Sequence, residues 1–401
     1  MINYLLVGCE GQQKETEPKK GMCIFNINDG GKKDKPDIFF GIEEGGITVP
    51  VTPRAALNHD NSLYTITRTA LFQHSLSKEK GALQTAKATF EFQKLKKKLG
   101  TNEEKERLDE LIEGKKLYGR LAMQARVENG EPKVDLITSI YHEEGFLKQG
   151  AKGGFLLRFN NGTLNEDTVE LFTNSPTFNN LQATGDIIEY NGAFYVASGG
   201  SLLVASQQRD GCRPYHFRGS VLATAALEEI LAITNNYGDY KIITSGRETV
   251  SRELKDPENI FADDLILPSE ATAVAITNYN RQKYVLFGLN YGQLGIYALD
   301  DKASPPLRFV GLLHFLTLEE IIGQKKGEHL ERSNEDYHLR NMKIISNELY
   351  FTLRKNAYRY TLRDLFEAIN AWGEDKHDVP APRPRNSYEL PHRATCLELI
   401  L

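Results

Sequence analysis

The stretch YNGAFYVASGGSLLVAS, Tyr190 to Ser206, contains two short apolar runs joined by a Gly-Gly pair, and Asn191-Gly192 stands before the first run. Asparagine and glycine adopt positive φ angles at little cost, so they favour the tight turns that connect antiparallel strands. The stretch therefore predicts three consecutive strands joined by two hairpin turns.

The same plan recurs along the chain, at Ile276–Asp301 and again at Ile344–Leu362. Tyr195, Tyr240 and Tyr284 recur in it about 45 residues apart, which is the length of a four-stranded propeller blade. Two further copies read LAITNNYGDYKIITSGRETVSREL and AALNHDNSLYTITRTALFQHSL. We name the four strands of each unit A to D, from the axis outward.

The outer strand D is predicted by a second recurring pattern, in which Phe follows Pro by three residues. The phenylalanines are Phe39, Phe217 and Phe309. Proline is tolerated at the start of an edge strand because no ladder hydrogen bond is lost there.

Seven units result. The A–B hairpins are predicted near residues 54–68, 120–141, 184–198, 229–245, 271–288 and 341–354. In the seventh unit the N-terminal segments YLLVGCEG, GMCIFNIN and PDIFFGIEE supply B, C and D, and the C-terminal RATCLELIL supplies A. Sharing one blade between the two chain ends would close the propeller and remove an open sheet edge.

This organisation resembles the β-propeller superfamily, in a divergent form of the WD-repeat-like kind. The resemblance implies an all-β fold, a seven-bladed β-propeller over residues 1–401 as one domain, closed by N- and C-terminal strands that share one blade. No Gly-His…Trp-Asp signature occurs, and Trp372 is the only tryptophan, so no specific family is indicated. A β-sandwich or two smaller β domains remain the alternatives, although neither predicts this period.

Residues 77–117 are predicted to be a helical insertion. Thr101 and Glu104 form a capping box, and Leu108, Leu111 and Ile112 follow as an apolar stripe. Residues 82–99 favour a second helix, although the alternation of Phe90 and Phe92 would also suit a D strand. Four lysines precede an acidic segment: Lys94, Lys96, Lys97 and Lys98. They are expected either to pair with that segment or to form a docking site for an acidic partner or RNA.

Two further insertions carry helical patterns. The first, residues 315–340, is a polar loop in which TLEEIIGQ predicts a short helix capped by Thr317 and Glu320. The second, residues 363–386, is a helix followed by a Pro-rich return. Its apolar residues recur at helical spacing: Leu362, Leu365, Phe366, Ile369 and Trp372. PAPRPR is either a rigid connector or a polyproline ligand.

Composition narrows the class of protein. The net charge of -5 gives no general attraction to nucleic acid or anionic membranes, and no apolar run is long enough to cross a bilayer. The four cysteines lack zinc or disulfide spacing, which indicates a reducing, cytoplasmic location. Leu6–Cys9 imitates a lipoprotein cleavage box, but the apolar run before it is too short, and we predict a strand.

No local catalytic motif was found. The nine histidines show no ligand spacing, and neither a G-x-S-x-G elbow nor a phosphate-binding loop occurs, so we predict no metal and no cofactor. A metal shared by His329 and His338 is the one alternative. The D–A and B–C connections share one face of a propeller, and eight of their residues could rim its axial funnel: His142, Glu143, Arg247, Asn290, Tyr291, Arg354, His392 and Arg393.

These features favour a non-enzymatic scaffold that binds one or more proteins, or a larger complex, through propeller-face loops and helical insertions. Tyrosine and arginine are common binding anchors because they bury large areas and make directed hydrogen bonds. The alternative is a metal-dependent, lactonase-like hydrolase with an axial site, whose ligands would converge only in space. An RNA-associated scaffold is a third hypothesis, without support from an aromatic-studded basic stripe.

Overall fold

The structure consists of the repeated sheets that the sequence predicts. A computed structural model of the chain describes residues 4–9, 22–28, 31–33, 38–44, 47–50, 53–60, 62–67, 69–76, 83–113, 117–142, 154–167, 169–171, 186–206, 215–216, 221–235, 239–244, 247–253, 271–300, 307–317, 337–373, 376, 379–391 and 393–400. The chain is a seven-bladed β-propeller, and each blade is a sheet of four or five strands. Its residues divide into two compact units.

The strands are numbered in chain order. The first sixteen are β1 (Tyr4–Cys9), β2 (Met22–Asn26), β3 (Gly31–Lys33), β4 (Ile38–Glu44), β5 (Ile47–Pro50), β6 (Ala55–His59), β7 (Ser62–Ile66), β8 (Ala70–Leu76), β9 (Leu83–Glu91), β10 (Leu117–Glu128), β11 (Glu131–His142), β12 (Phe155–Phe159), β13 (Val169–Leu171), β14 (Ile187–Tyr190), β15 (Ala193–Ser198) and β16 (Ser201–Ser206).

The remaining strands are β17 (Tyr215–His216), β18 (Val221–Leu227), β19 (Ile230–Asn235), β20 (Asp239–Thr244), β21 (Arg247–Glu253), β22 (Ala271–Tyr279), β23 (Gln282–Leu289), β24 (Gln293–Leu299), β25 (Leu307–His314), β26 (Arg340–Ile345), β27 (Glu348–Leu353), β28 (Asn356–Thr361), β29 (Val379–Pro380), β30 (Asn386–Glu389) and β31 (Ala394–Ile400). The described part of the chain also contains two α-helices, α1 (Asn102–Glu113) and α2 (Leu362–Ala371).

The first unit holds four blades. Blade 1 is β6-β7-β8-β9, blade 2 is β10-β11-β12-β13, blade 3 is β14-β15-β16-β17, and blade 7 is β31-β1-β2-β4-β5. Adjacent blades meet through their first strands, as where Asn58 Nδ2 of β6 donates to the Leu399 carbonyl of β31 at 3.1 Å. The first strand of each blade is therefore the inner one, as the A-to-D order predicts.

Blade 7 joins the two ends of the chain. β31 pairs antiparallel with β1, so that Leu5 lies opposite Leu399 and both side chains are buried. A Cβ atom added at Gly8 would lie only 2.7 Å from both Pro53 Cγ and Thr395 Oγ1, which shows how closely the segments pack. The predicted closure is confirmed, and Leu6–Cys9 lies within strand β1 as expected.

The second unit holds three blades. Blade 4 is β18-β19-β20-β21, blade 5 is β22-β23-β24-β25-β29, and blade 6 is β26-β27-β28-β30-β3. Thr272 Oγ1 of blade 5 donates to the Leu339 carbonyl, which immediately precedes blade 6, at 2.8 Å. Apolar residues of neighbouring sheets pack in two buried clusters, one between blades 4 and 5 and one between blades 5 and 6.

The strand register of blade 4 differs from the prediction. Residues 229–245 contain its second and third strands rather than A and B, and the inner hairpin is β18–β19. Its turn lies at Glu228, which has a φ of 52° without an Asn-Gly signal, so the turn was overlooked. For the same reason Tyr240 lies on strand C, whereas Tyr195 and Tyr284 lie on strand B.

The insertion after β8 is only half helical. The capping box is confirmed, because Thr101 N donates to Glu104 Oε2 at 3.0 Å and Glu104 N donates to Thr101 Oγ1 at 3.2 Å. The helix favoured for residues 82–99 is wrong, and the alternative D strand is confirmed: residues 83–91 are β9, the fourth strand of blade 1, and residues 92–97 form a 3-10 helix. Pairing with β8 outweighed a helical pattern that local residues alone could not exclude.

Strand D is not the outermost strand in blades 5, 6 and 7. Phe39 and Phe309 lie on fourth strands as predicted, whereas Phe217 lies outside the described residues. A fifth strand covers each of these fourth strands: β29 and β3 pair in parallel with β25 and β30, and β5 forms a hairpin with β4. In blades 5 and 6 the new edge strand has only two or three residues, and such a short edge presents few unpaired backbone groups for association between sheets.

Helix α2 and the connector after it pack on the second unit. Thr361 Oγ1 caps α2 by accepting from Asp364 N at 3.0 Å, and the predicted apolar face is buried except for Trp372. In the connector, Ala381 N donates to the His314 carbonyl and Arg385 N donates to the Arg359 carbonyl, both at 2.9 Å. The Pro-rich segment is thus fixed along the blades. The helix predicted at TLEEIIGQ falls outside the described residues, and no described helix is long and apolar enough to span a membrane.

Candidate functional site

The eight residues predicted to rim the propeller face have different outcomes. Side chains are described for Asn290, Tyr291, Arg354 and Arg393. For His142, at the end of β11, and Arg247, at the start of β21, only the backbone is described. Glu143 and His392 lie outside the described residues.

The turn between β23 and β24 is part of the core of the second unit. Asn290 and Tyr291 are buried, and Tyr291 and Gly292 have positive φ angles of 61° and 67°. A Cβ atom at Gly292 would lie 2.7 Å from Leu316 Cγ, because the connection after β25 crosses directly over the turn. Neither Asn290 nor Tyr291 therefore offers the exposed rim surface that the sequence suggested.

Arg354 lies at the turn between β27 and β28, at the same end of blade 6 as the connection that enters it. Its φ of 54° places this bulky residue in the left-handed region. The guanidinium carbon lies 5.3 Å from the centre of the Tyr337 ring, and that ring is buried. A cation held over an aromatic face at this distance is attracted by the ring quadrupole. Arg354, itself half-buried, is thus held against a fixed platform.

A second arginine, Arg340, lies at the same end of blade 6. Arg340 lies opposite Thr352 in the β26–β27 ladder, and its Nη2 lies 3.2 Å from Nδ1 of His338. Burial, and to a smaller extent the charge of Arg340, lowers the pKa of His338 from 6.5 to about 3. The imidazole is therefore neutral near pH 7, and its Nδ1 can accept a hydrogen bond from the guanidinium. We call the residues Tyr337, His338, Arg340 and Arg354 the arginine corner.

The arginine corner positions two guanidinium groups by contacts with uncharged rings. A guanidinium presents a planar set of N–H donors that matches the two oxygens of a carboxylate. Rigid positioning reduces the side-chain entropy lost when a ligand binds. Chemically, the arrangement is suited to holding an anion or a carboxylate.

Buried ionic groups elsewhere connect the strands within a blade. In blade 2 a polar cluster takes one side chain from each of the four strands. Its central Arg158 lies 3.7 Å from Asp135, 3.8 Å from Glu170 and 3.3 Å from Gln124 Oε1. In blade 6, Glu348 accepts from Arg359 at 2.7 Å. Each charge has an opposite charge close by, so these ion pairs connect neighbouring strands of a blade.

The lysine run is largely paired within the first unit. Lys96 Nζ lies 2.5 Å from Asp109 of α1, and Lys97 Nζ lies 2.8 Å from Glu166. Lys98 Nζ donates to the Val169 carbonyl at 2.8 Å. These contacts favour the interpretation in which the lysines pair with groups of the first unit itself. They do not favour a surface for RNA or an acidic partner.

The sequence did not point to Tyr337 or Arg340 as site residues. It also gave no indication that His338 and Arg354 belong to the same site. Arg340 is the first residue of β26 and Tyr337 lies three residues before it, and only the fold brings the Tyr337 ring to Arg354. Within the described part of the chain, no group of three His, Cys, Asp or Glu side chains could hold a metal ion. His329, the other proposed ligand beside His338, falls outside that part.

No family model matches the sequence, and no curated protein matches it. The chain is similar to the solved structure of Raptor from Chaetomium thermophilum, at 12% identity and a TM-score of 0.44, over 89% of this chain and 27% of Raptor. It is similar to apo AztD from Citrobacter koseri, at 10% identity and a TM-score of 0.40, over 100% of this chain and 98% of AztD. The computationally designed Ika8 protein has 9% identity and a TM-score of 0.42, over 90% of this chain and 87% of Ika8. The class of protein, a seven-bladed β-propeller, rests on the strand order of the chain itself.

Proposed function

We propose that this propeller is a non-enzymatic scaffold that binds partner proteins, and that the arginine corner is one of its anchor sites. The observation that carries the proposal is the placement of Arg354 over the buried Tyr337 ring, together with the contact of Arg340 with the neutral His338 at the same end of blade 6. Arginine and tyrosine are enriched among the few interface residues that dominate binding free energy. The partner group expected here is an Asp or Glu side chain or a chain-terminal carboxylate.

Helix α2 offers a second contact surface for the same function. Trp372, at its C-terminal end, is 47% exposed, although the helix itself is fixed by its buried apolar face and by the cap at Thr361. An exposed tryptophan on a rigid support binds with little loss of conformational entropy, and tryptophan is a frequent interface anchor. The proposed role is that of a WD-repeat-like scaffold, in which the helical insertions contact partner proteins as well as the loops of the propeller face.

We further propose that the scaffold works in the cytoplasm and binds proteins in preference to nucleic acid. The cytoplasmic location rests on the four cysteines, whose spacing in the sequence shows no disulfide framework. The internal pairing of Lys96 and Lys97 supports the preference for protein. No described feature favours the metal-dependent hydrolase over this function.

The decisive experiment compares two arginine substitutions in the full-length protein. Arg354→Ala removes the cation of the arginine corner. Arg363→Ala is the matched control, because Arg363 lies in the same unit but is exposed on α2 and pairs with Glu367 at 2.7 Å. Affinity capture from lysate identifies partners, and their affinity for each purified variant is then measured in a defined buffer.

We expect Arg354→Ala to weaken the principal partner about 30-fold, since a central arginine contributes about 2 kcal/mol, and Arg363→Ala to have little effect. Arg354→Lys should rescue only partly because lysine lacks the planar donor pair. Equal binding by all variants would refute the anchor role. Recovery of nucleic acid with a steep salt dependence would instead favour the RNA hypothesis.

A further inference from the structure

Blade 7 places two cysteine sulfurs in contact inside the strands that close the propeller. Cys9 is the last residue of β1, and Cys23 lies in the neighbouring β2, opposite Val7. Their Sγ atoms are 4.0 Å apart, and both side chains are fully buried. We propose that this pair is an oxidation site, where a peroxide-class oxidant converts the two thiols to an intramolecular disulfide between β1 and β2.

The two sulfur atoms are close to each other but are not bonded. A disulfide requires the sulfur atoms to approach to about 2.0 Å, so side-chain rotation must shorten the separation by about 2 Å. Cys23 lies opposite Val7, two residues before Cys9, so the two cysteines are diagonal neighbours on one face of the β1–β2 ladder. The third described cysteine differs, because Cys396 Sγ lies 3.9 Å from the Pro53 carbonyl and burial raises its pKa to about 11.

Cys9 is the last residue of β1, so local opening of this strand end is the route by which an oxidant reaches the buried pair. The β1–β31 ladder changes register between Gly8 and Cys9, so Cys9 lies where the regular pairing stops. Strand ends open locally at a much lower free energy than the centre of a sheet. A short opening of this end therefore exposes Cys9 to a small oxidant while Cys23 stays close enough to react with it.

The reaction is balanced with one peroxide for each pair. The Cys9 thiolate attacks a peroxide oxygen, the O–O bond breaks, and Cys9 becomes a sulfenic acid as water leaves. The Cys23 thiolate then attacks the Cys9 sulfur, the S–S bond forms, and the sulfenic oxygen leaves as a second water. Two sulfurs are oxidised by one electron each, and the two peroxide oxygens accept those electrons.

The test uses the full-length protein with the other two cysteines removed, Cys212→Ser with Cys396→Ser. The folded protein is treated with hydrogen peroxide, remaining thiols are alkylated under denaturing conditions, and tryptic peptides are examined by mass spectrometry. Cleavage after Lys14, Lys20 and Lys32 separates residues 1–14 from residues 21–32. We expect a single species in which these two peptides are joined, and the loss of two alkylatable thiols per chain.

Single variants provide the control. Cys9→Ala and Cys23→Ala, each in the same background and checked for native circular dichroism, should give no linked species and lose no more than one thiol per chain. If either variant does not fold, the peptide map of the unsubstituted pair still decides the outcome. The proposal is overturned if peroxide leaves both thiols alkylatable, or if it produces sulfinic acid on unlinked peptides.

Discussion

Closure of the propeller by β31 can be tested through one pair of leucines. Leu5 of β1 and Leu399 of β31 lie directly opposite each other, and both are buried. Leu5→Ala and Leu399→Ala should each lower the free energy of unfolding by about 2–5 kcal/mol, because each removes buried methyl groups and leaves a cavity. Such a loss is a large share of a typical stability of about 5–15 kcal/mol.

The informative quantity is the coupling between the two substitutions. If the side chains touch, the first substitution already removes their shared contact, and the double variant loses less than the sum of the single losses. The expected difference is about 0.5–1 kcal/mol, typical of residues paired across strands. Where the double alanine variant is too unstable to measure, Leu5→Val with Leu399→Val removes about one methylene per site, at about 0.8 kcal/mol each.

Urea unfolding followed by far-ultraviolet circular dichroism measures each loss in the full-length protein. The control pairs Leu5→Ala with Val127→Ala, since Val127 is 70% exposed at the tip of the β10–β11 hairpin and should cost almost nothing. That control should be additive. Additivity to within about 0.3 kcal/mol for Leu5 and Leu399 as well would refute the pairing of the chain ends.

Three other predictions concern a cap, a turn and a histidine. Thr101→Ala removes the acceptor for Glu104 N and should lower the unfolding free energy by about 1 kcal/mol; an unchanged urea midpoint would exclude a working capping box. Gly292→Ala combines a φ of 67° with a contact of 2.7 Å to Leu316 Cγ, and should cost more than Gly192→Ala, whose φ is 75° but whose Cβ would meet no atom within 4 Å. Equal unfolding midpoints for these two glycine variants would contradict the packing described for the turn. Because the pKa of His338 falls from 6.5 to about 3 on folding, the unfolded chain binds its proton more readily, and stability is lost as pH drops from 6.5 toward 3. His338→Gln should flatten that part of the stability profile, and an unaltered profile would show that the imidazole does not contribute.

Much of the fold could be predicted because hairpin turns have local chemical signatures. Asn191 and Gly192 adopt φ angles of 51° and 75° in the structure, as their turn requires, and the repeated spacing of such turns predicts the blades. Failures occurred where the local signal was weak or ambiguous. The turn at Glu228 carries no Asn-Gly pair, and the segment before Gly100 satisfies helix and strand patterns equally until β8 pairs with it.

The sequence by itself determined the repeat period and the number of blades, because these depend on alternation and turn chemistry within about 45 residues. Only the tertiary structure decided which residues meet. The register of β26 against β27 brings Arg354 to Tyr337, and the crossing of the connection at Leu316 buries Tyr291 where an exposed loop was expected. Such contacts depend on strand register and on packing between segments distant in sequence, which no local pattern encodes.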